Sequence, residues 1–151
     1  MQNPSLDNLR TDPLLQPNPI ARWEPSENLD MRRPQLIVLH HTEMKSAEAA
    51  LQMLKTGNPY GKVSAHYLIG ADGALYQLVP DGARAWHAGL SRWAGRADLN
   101  SSSIGIELDN DGQGEFAEPQ IQALIALLSN LCERLKIEPR QVIAHGDIAP
   151  V

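Results

Sequence analysis

The sequence combines short apolar runs with one apolar stripe at helical spacing, and this mixture constrains the fold more than any other feature. Residues 35–40, 103–108 and 141–144 are short runs with β-branched side chains, which is typical of buried strands. A single stripe recurs at steps of three, one, three, three, one and three, and it comprises Ile121, Leu124, Ile125, Leu128, Leu131, Cys132 and Leu135. We interpret this stripe as core rather than as a partner site. Together these segments predict an α/β fold, a single domain with a mixed central β-sheet flanked by α-helices.

Capping and turn residues predict two further features. Ser46 is a candidate N-cap for a helix over residues 47–54, which contain helix formers throughout. Asp72-Gly73 separates two strand-like runs, 63–69 and 74–79, and this dipeptide is a strong hairpin signal.

Composition divides the chain into an arm and a domain. Residues 1–34 are rich in Pro, Asn and Asp without a sustained period, so we expect an extended or partly disordered arm. Residues 35–151 are expected to form one domain, because typical domains contain about 100–150 residues. The first residues have neither a basic nor an apolar signal-peptide region, and we find no apolar stretch of the roughly 20 residues that a membrane span needs.

Charge and cysteine content exclude several classes of function. The net charge of −5 argues against nucleic acid as a partner, because such binding relies on phosphate neutralisation. Cys132 is the only cysteine, which excludes an internal disulfide and a cysteine-rich structural zinc site.

Two histidines stand at the ends of strand-like runs. His40 ends the run at 35–40, and His145 follows the run at 141–144. Side chains at strand ends meet in the crevice of an α/β sheet, and imidazole is the commonest protein metal ligand. Two histidines and one carboxylate would leave a fourth zinc position for water, as catalytic zinc sites do. The alternative is that both imidazoles are packed structurally, with no metal.

Glu107 places a carboxylate inside the apolar run 103–108. A carboxylate there is costly to bury unless it is paired or protonated, and burial moves its pKa towards neutral pH. Glu107 is therefore a candidate general base. The alternative is an edge strand from which Glu107 faces water.

Aromatic and basic residues mark the long loop region 80–102 as a candidate binding surface. Trp86 and Trp93 supply indole surface of the kind that stacks on sugars or peptide groups. Lys62 and Arg84 flank the segment that carries Trp86 and Trp93, and they are candidates to meet substrate carboxylates. The alternatives are a tryptophan that closes the core and solvated charges.

Five segments in order resemble one family, the zinc-dependent N-acetylmuramoyl-L-alanine amidases of the AmpD and AmiD kind, related to peptidoglycan recognition proteins. The resemblance covers about residues 35–151. The matching segments are 36–42 (LIVLHHT), 63–69 (VSAHYLI), 84–89 (RAWHAG), Asn100 with 103–107 (SIGIE), and 144–150 (AHGDIAP).

The resemblance implies the reaction and the site. His40 and His145 match zinc ligands, and Glu107 matches the catalytic acid/base that activates water. The positions that match the substrate groove or lie near it are His41, Lys62, Ser64, Ala65, Trp86 and His87. The substrate would be peptidoglycan or a muropeptide of the bacterial cell wall. The reaction would cleave the amide between N-acetylmuramic acid and L-alanine.

The resemblance also implies a departure at the C terminus. In the family the segment after the match to 147–150 continues to an Asp that is the third zinc ligand, whereas this sequence ends at Val151. We therefore expect Zn²⁺ occupancy to be low or absent in this form, and we do not assign the role to Asp147. The alternatives to an active amidase are a non-catalytic peptidoglycan-binding module and an inactive truncated amidase. We expect a monomer in the periplasm or cell envelope, with the cytoplasm as the alternative location.

Overall fold

The computed structural model describes residues 16–31, 33–59, 61–89, 91–93 and 95–148. The strands in this part of the chain are β1 (Arg22–Trp23), β2 (Asp30–Met31), β3 (Leu36–His41), β4 (Tyr67–Ile69), β5 (Leu75–Gln77), β6 (Ala83–Arg84), β7 (Arg92–Trp93), β8 (Arg96–Ala97), β9 (Ser103–Leu108) and β10 (Val142–Ala144). The α-helices are α1 (Ala47–Thr56), α2 (Glu118–Leu135) and α3 (His145–Ile148). No helix of the described residues is long and apolar enough to span a bilayer.

Six strands form the main sheet, in the order β1-β5-β4-β9-β3-β10. The pairs β4–β9, β9–β3, β3–β10 and β1–β5 are parallel, whereas β4 and β5 form an antiparallel hairpin. The predicted mixed sheet with flanking helices is therefore confirmed. The hairpin turn is also confirmed: Asp72 accepts a hydrogen bond from the Ala74 amide, and Gly73 has a φ of 85°.

The two faces of the sheet have different roles because successive side chains of a strand point in opposite directions. Ile37, Ile104 and Ile106 face α2 and pack with Leu127 and Leu131 in the main core cluster. The opposite face holds a second apolar cluster, which consists of Leu36, Val38, Ala88, Leu99 and Ile143. By the same alternation, His40 and Glu107 project from this second face.

The apolar stripe of α2 is only partly core, so the prediction that all of it is buried was wrong. Leu127 and Leu131 are fully buried, but Ile121 is 36% and Ile125 is 52% exposed. These two isoleucines are four residues apart, so they lie on the same side of the helix, and this side faces away from the sheet. Gln120 is buried instead, because its side-chain amide donates to the carbonyl oxygens of Ile69 and Asp109.

The hairpin strands β4 and β5 are shorter than the predicted runs 63–69 and 74–79, whereas helix α1 agrees with its prediction. Residues 63–66 lie outside the regular strands and make isolated backbone bonds: the Ser64 amide donates to the Trp86 carbonyl, and the His66 amide donates to the Gly105 carbonyl. Only Tyr67–Ile69 pairs continuously. Ser46 caps α1 by accepting a hydrogen bond from the Ala49 amide at 3.1 Å.

Part of the predicted N-terminal arm is built into the fold, while residues 1–15 lie outside the described residues. β1 extends the sheet beside β5. Asn18 is buried, and its side-chain amide donates to Asn130 at 2.7 Å and to the Tyr67 hydroxyl at 3.3 Å. The Tyr67 hydroxyl donates in turn to Asp81 at 2.7 Å, and Arg134 pairs with the other Asp81 oxygen at 2.6 Å. This buried polar network ties the segment before β1 to α2.

We predict that Tyr67→Phe destabilises the protein by about 1–3 kcal/mol, because it removes the buried hydroxyl that donates to Asp81 and accepts from Asn18. Urea unfolding at pH 7 measures the change. Tyr76→Phe is the matched control, since the Tyr76 hydroxyl lies outside this network, and it should cost less than about 0.5 kcal/mol. Equal losses in the two variants would contradict the prediction.

Candidate active site

Three neighbouring parallel strands bring the candidate residues together at their carboxyl ends. His40 lies directly opposite Glu107 in the β3–β9 register. Ala144, the last residue of β10, lies opposite Leu39, so His145 follows beside His40. The carboxyl ends of parallel strands open into a crevice, where ligands bind in α/β folds.

The imidazoles of His40 and His145 face each other through their Nδ1 atoms, which are 2.9 Å apart. Two nitrogen ligands of one tetrahedral zinc ion, each at 2.0–2.1 Å, lie about 3.3 Å apart. The two Nδ1 atoms therefore converge closely enough to share one cation. Burial, together with charge repulsion from His145 and His41, lowers the pKa of His40 to about 3, so this imidazole is neutral as a metal ligand must be.

Glu107 is a buried carboxyl group on a central strand. β9 lies between β4 and β3, so the edge-strand alternative is excluded. Its Oε2 atom is buried and makes no hydrogen bond within the described part of the chain. Burial raises the pKa of Glu107 to about 7, which suits a group that exchanges protons near neutral pH.

His87 lies immediately behind His40 as seen from His145. Its Nδ1 atom is 2.9 Å from Nε2 of His40, and its Nε2 atom is 3.1 Å from the Ser103 hydroxyl. The Asn100 side chain holds this loop in place by accepting hydrogen bonds from the amides of His87 and Ala88 at 3.0 and 2.8 Å. Both ring nitrogens of His87 are thus engaged within the protein.

His66 is a structural histidine, fully buried between β9 and the start of β6. Its Nδ1 accepts a hydrogen bond from the Gly105 amide at 3.0 Å, and its Nε2 lies 2.7 Å from the Ala83 carbonyl oxygen. Because one nitrogen accepts from an N–H and the other must donate to a C=O, the ring is fixed as the neutral Nε2–H tautomer.

Trp86 is flanked by two cations at the surface. Lys62 Nζ lies 4.7 Å and the Arg84 guanidinium 4.8 Å from the centre of its ring, within the range of cation–π attraction. Arg84 is held by Asp98 at 2.8 Å and by Ser101 at 3.1 Å. The three side chains of Lys62, Arg84 and Trp86 form a cationic aromatic surface.

Other predicted residues lie in contrasting positions. His41 is exposed, with Nδ1 3.8 Å from Glu43. Ser64 and Ala65 are fully buried, and the Ser64 hydroxyl links the Asn28 carbonyl to the Trp86 amide. Trp93 packs on the second apolar cluster and lines a cavity of about 400 Å³ that includes Leu36, the first residue of β3.

Sequence reasoning missed the contribution of Gly105 and Ser103. A Cβ atom at Gly105 would come within 2.4 Å of the His87 ring, so only glycine leaves room for that histidine. No local pattern signals such a contact, because it joins residues from two different elements.

A complete metal centre is absent from the described residues. None of their groups of three or more His, Cys, Asp or Glu side chains is arranged to hold a metal ion. Asp147 does not fill the gap, since it accepts a hydrogen bond from the Ala144 amide beneath α3.

Relatives with matching sequence are amidases of N-acetylmuramoyl-L-alanine or its 1,6-anhydro form by name. The N-acetylmuramoyl-L-alanine amidase AmiD of Escherichia coli K12 is 40% identical over 134 residues, which cover 78% of this chain and 47% of AmiD. The 1,6-anhydro-N-acetylmuramyl-L-alanine amidase AmpD of Citrobacter freundii is 36% identical over 149 residues, covering 86% of this chain and 80% of AmpD. The chain thus spans about half of AmiD and most of AmpD.

Solved structures agree with the sequence matches. The crystal structure of a selenomethionine derivative of AmpD superimposes with a TM-score of 0.80 at 32% identity, covering 88% of this chain and 85% of that one. E. coli AmiD in complex with anhydro-N-acetylmuramic acid-L-Ala-D-γ-Glu-L-Lys gives a TM-score of 0.71 at 39% identity, covering 80% and 51%. Residues 30–150 match the family model described as N-acetylmuramoyl-L-alanine amidase. This chain therefore belongs to the N-acetylmuramoyl-L-alanine amidase family.

Proposed function

We propose that this protein hydrolyses the amide between N-acetylmuramic acid and L-alanine in peptidoglycan or muropeptides, with Zn²⁺ as cofactor. The observation that carries this proposal is the convergence of the His40 and His145 Nδ1 atoms, 2.9 Å apart, beside the buried carboxyl group of Glu107. Family membership supplies the reaction class, and this geometry supplies the residues for it.

His40 and His145 would hold the zinc ion through Nδ1. Zinc bound in such a site makes water a nucleophile at neutral pH and polarises the carbonyl group of the scissile amide. We propose that the third ligand is the Asp that family members carry after the segment matching 147–150.

Glu107 carries the proton transfers in this proposal. Its carboxylate removes a proton from the attacking water as the water oxygen bonds to the lactyl carbonyl carbon. It then gives that proton to the L-alanine nitrogen as the C–N bond breaks. The products are the carboxylate of N-acetylmuramic acid and the free amino group of the stem peptide.

We propose that Lys62, Trp86 and His41 contact the substrate directly. Trp86 offers an aromatic face, and Lys62 with Arg84 offers positive charge towards stem-peptide carboxylates. Ser64 and Ala65 support this surface from beneath, since Ser64 binds the Trp86 amide. The complex of AmiD with an anhydromuramoyl tripeptide favours a ligand of this chemical class.

The second candidate function is a module that binds peptidoglycan without cutting it, or an inactive amidase. The observation that favours it is the lack of a third ligand among the described residues. Glu107 argues against it, because a binding module has no use for a buried carboxyl group that costs stability.

We propose a monomer that acts where peptidoglycan lies, in the periplasm or cell envelope. Cytoplasmic muropeptides are the alternative substrate.

We predict that a C-terminal extension restores a full zinc site. The extension is the matching segment of Citrobacter freundii AmpD, and its control carries Asn in place of the ligand Asp. Loss of an outer hydrogen bond already costs about 10–100-fold in metal affinity, so the Asp should tighten zinc binding at least roughly tenfold over the control. Chelator competition measures affinity, and mass spectrometry of muropeptides measures cleavage. Tight zinc binding without cleavage would leave the binding module as the function.

We predict that Glu107→Gln lowers turnover of the zinc-loaded extended protein by roughly 10²–10⁴-fold, because glutamine cannot carry the proton. Zinc affinity should stay near that of the unsubstituted extended protein, since Glu107 is not a ligand in the proposal. Release of free L-alanine amino groups measures turnover. A variant that keeps full activity would show that another group moves the proton.

We also predict that Glu107→Gln stabilises the metal-free chain at high pH. The pKa of Glu107 is raised from 4.5 to about 7, so the folded state holds a proton that the unfolded state has lost. Stability therefore falls as pH rises from about 4.5 through 7, and the glutamine variant escapes this loss. The variant should gain up to about 3 kcal/mol at pH 8 relative to its effect at pH 4. Urea unfolding at both pH values measures the difference, and an equal effect at the two would contradict the prediction.

A further inference from the structure

We infer that His87 is a positioning residue that fixes the tautomer of His40 and thereby turns the Nδ1 lone pair of His40 towards the metal position. This inference rests on the proposed zinc function. It assigns His87 a place behind a zinc ligand, in addition to its predicted position near the substrate groove.

The hydrogen bonds that link His40, His87 and Ser103 form a series, and the Ser103 hydroxyl at its end sets their direction. The Ser103 hydroxyl donates its single hydrogen to the Leu99 carbonyl oxygen at 2.6 Å. Towards His87 it must therefore act as acceptor, so the His87 Nε2 atom, 3.1 Å away, carries a hydrogen. A neutral imidazole has one N–H, which leaves Nδ1 of His87 as an acceptor.

The same reasoning sets the protonation of His40. Its Nε2 atom lies 2.9 Å from the His87 Nδ1 acceptor and must donate to it. The hydrogen of neutral His40 is then on Nε2, and its Nδ1 atom keeps the lone pair, which accepts from His145 Nδ1–H when no metal is bound. That lone pair points at His145 Nδ1, 2.9 Å away, where the two imidazoles would share the cation.

Packing holds the His87 ring in this orientation. The ring lies flat enough against the β9 backbone that a Cβ atom at Gly105 would approach its Cγ to 2.4 Å. The amides of His87 and Ala88 are both bound by the Asn100 side chain. The β9 backbone at Gly105 therefore confines the ring, and the Asn100 side chain fixes the loop that carries it, as a group that orients a metal ligand requires.

A matched pair of variants isolates the hydrogen bond from the packing. Asparagine at 87 places its Oδ1 near the position of the histidine Nδ1 and can accept the His40 Nε2–H, whereas leucine has nearly the same shape without an acceptor. We expect His87→Leu to weaken zinc binding by roughly 10–100-fold. His87→Asn should keep most of the affinity. Competition with a chromophoric chelator measures zinc affinity for the C-terminally extended protein and for both variants in that extended form.

Nitrogen-15 NMR of the imidazoles gives a readout that needs neither zinc nor activity. In the metal-free wild-type chain and in His87→Asn, His40 should be the Nε2–H tautomer, and His87→Leu should lose that preference. A wild-type His40 protonated on Nδ1 overturns the inference, as do Leu and Asn variants with equal zinc affinity. A wild-type chain that fails to bind zinc, even when extended, defeats the proposed function instead, while the tautomer still decides the role of His87.

Discussion

The parallel register between β3 and β9 is the constraint on which the site depends. It sets His40 beside Glu107 on one face, while the neighbouring residues Leu39 and Ile106 enter the core on the other. β10 continues the same arrangement and delivers His145 next to His40. Backbone hydrogen bonds between strands therefore fix the distances among three side chains that come from distant parts of the sequence.

The site is a region where polar groups are buried at the expense of stability. Glu107 has an oxygen with no hydrogen-bond partner among the described residues, and His40 is buried to 8% exposure. Such groups stay buried only when the interactions of the surrounding structure offset the cost of burying them. The polar network around Asp81, on the other side of the fold, is different because each carboxylate oxygen of Asp81 accepts from a donor. This network stabilises the structure around it.

Much of this arrangement was predictable from the sequence, and the remainder depended on contacts between distant elements. The mixed sheet, α1 with its Ser46 cap, and the strand Ser103–Leu108 follow local rules of periodicity and capping. The extent of burial on α2 does not follow such local rules, because the position of the sheet decides which side of the helix is covered. Ile125 belongs to the apolar stripe and yet is exposed. The match to known motifs indicated His40 and Glu107 as site residues. Neither motif nor periodicity indicated that Gly105 makes room for His87, since that contact exists only after folding.

The alternation of side chains along β9 makes the chemistry more fragile than the fold. Deleting or inserting one residue upstream of Glu107 within this strand would let most of its backbone bonds re-form one step along. The carboxyl group would then enter the apolar layer under α2, and Ile106 (after an insertion) or Leu108 (after a deletion) would stand beside His40. Related sequences with such a length change should thus keep a recognisable sheet while losing hydrolysis, so alignment gaps in this strand are a sharper sign of lost catalysis than low overall identity.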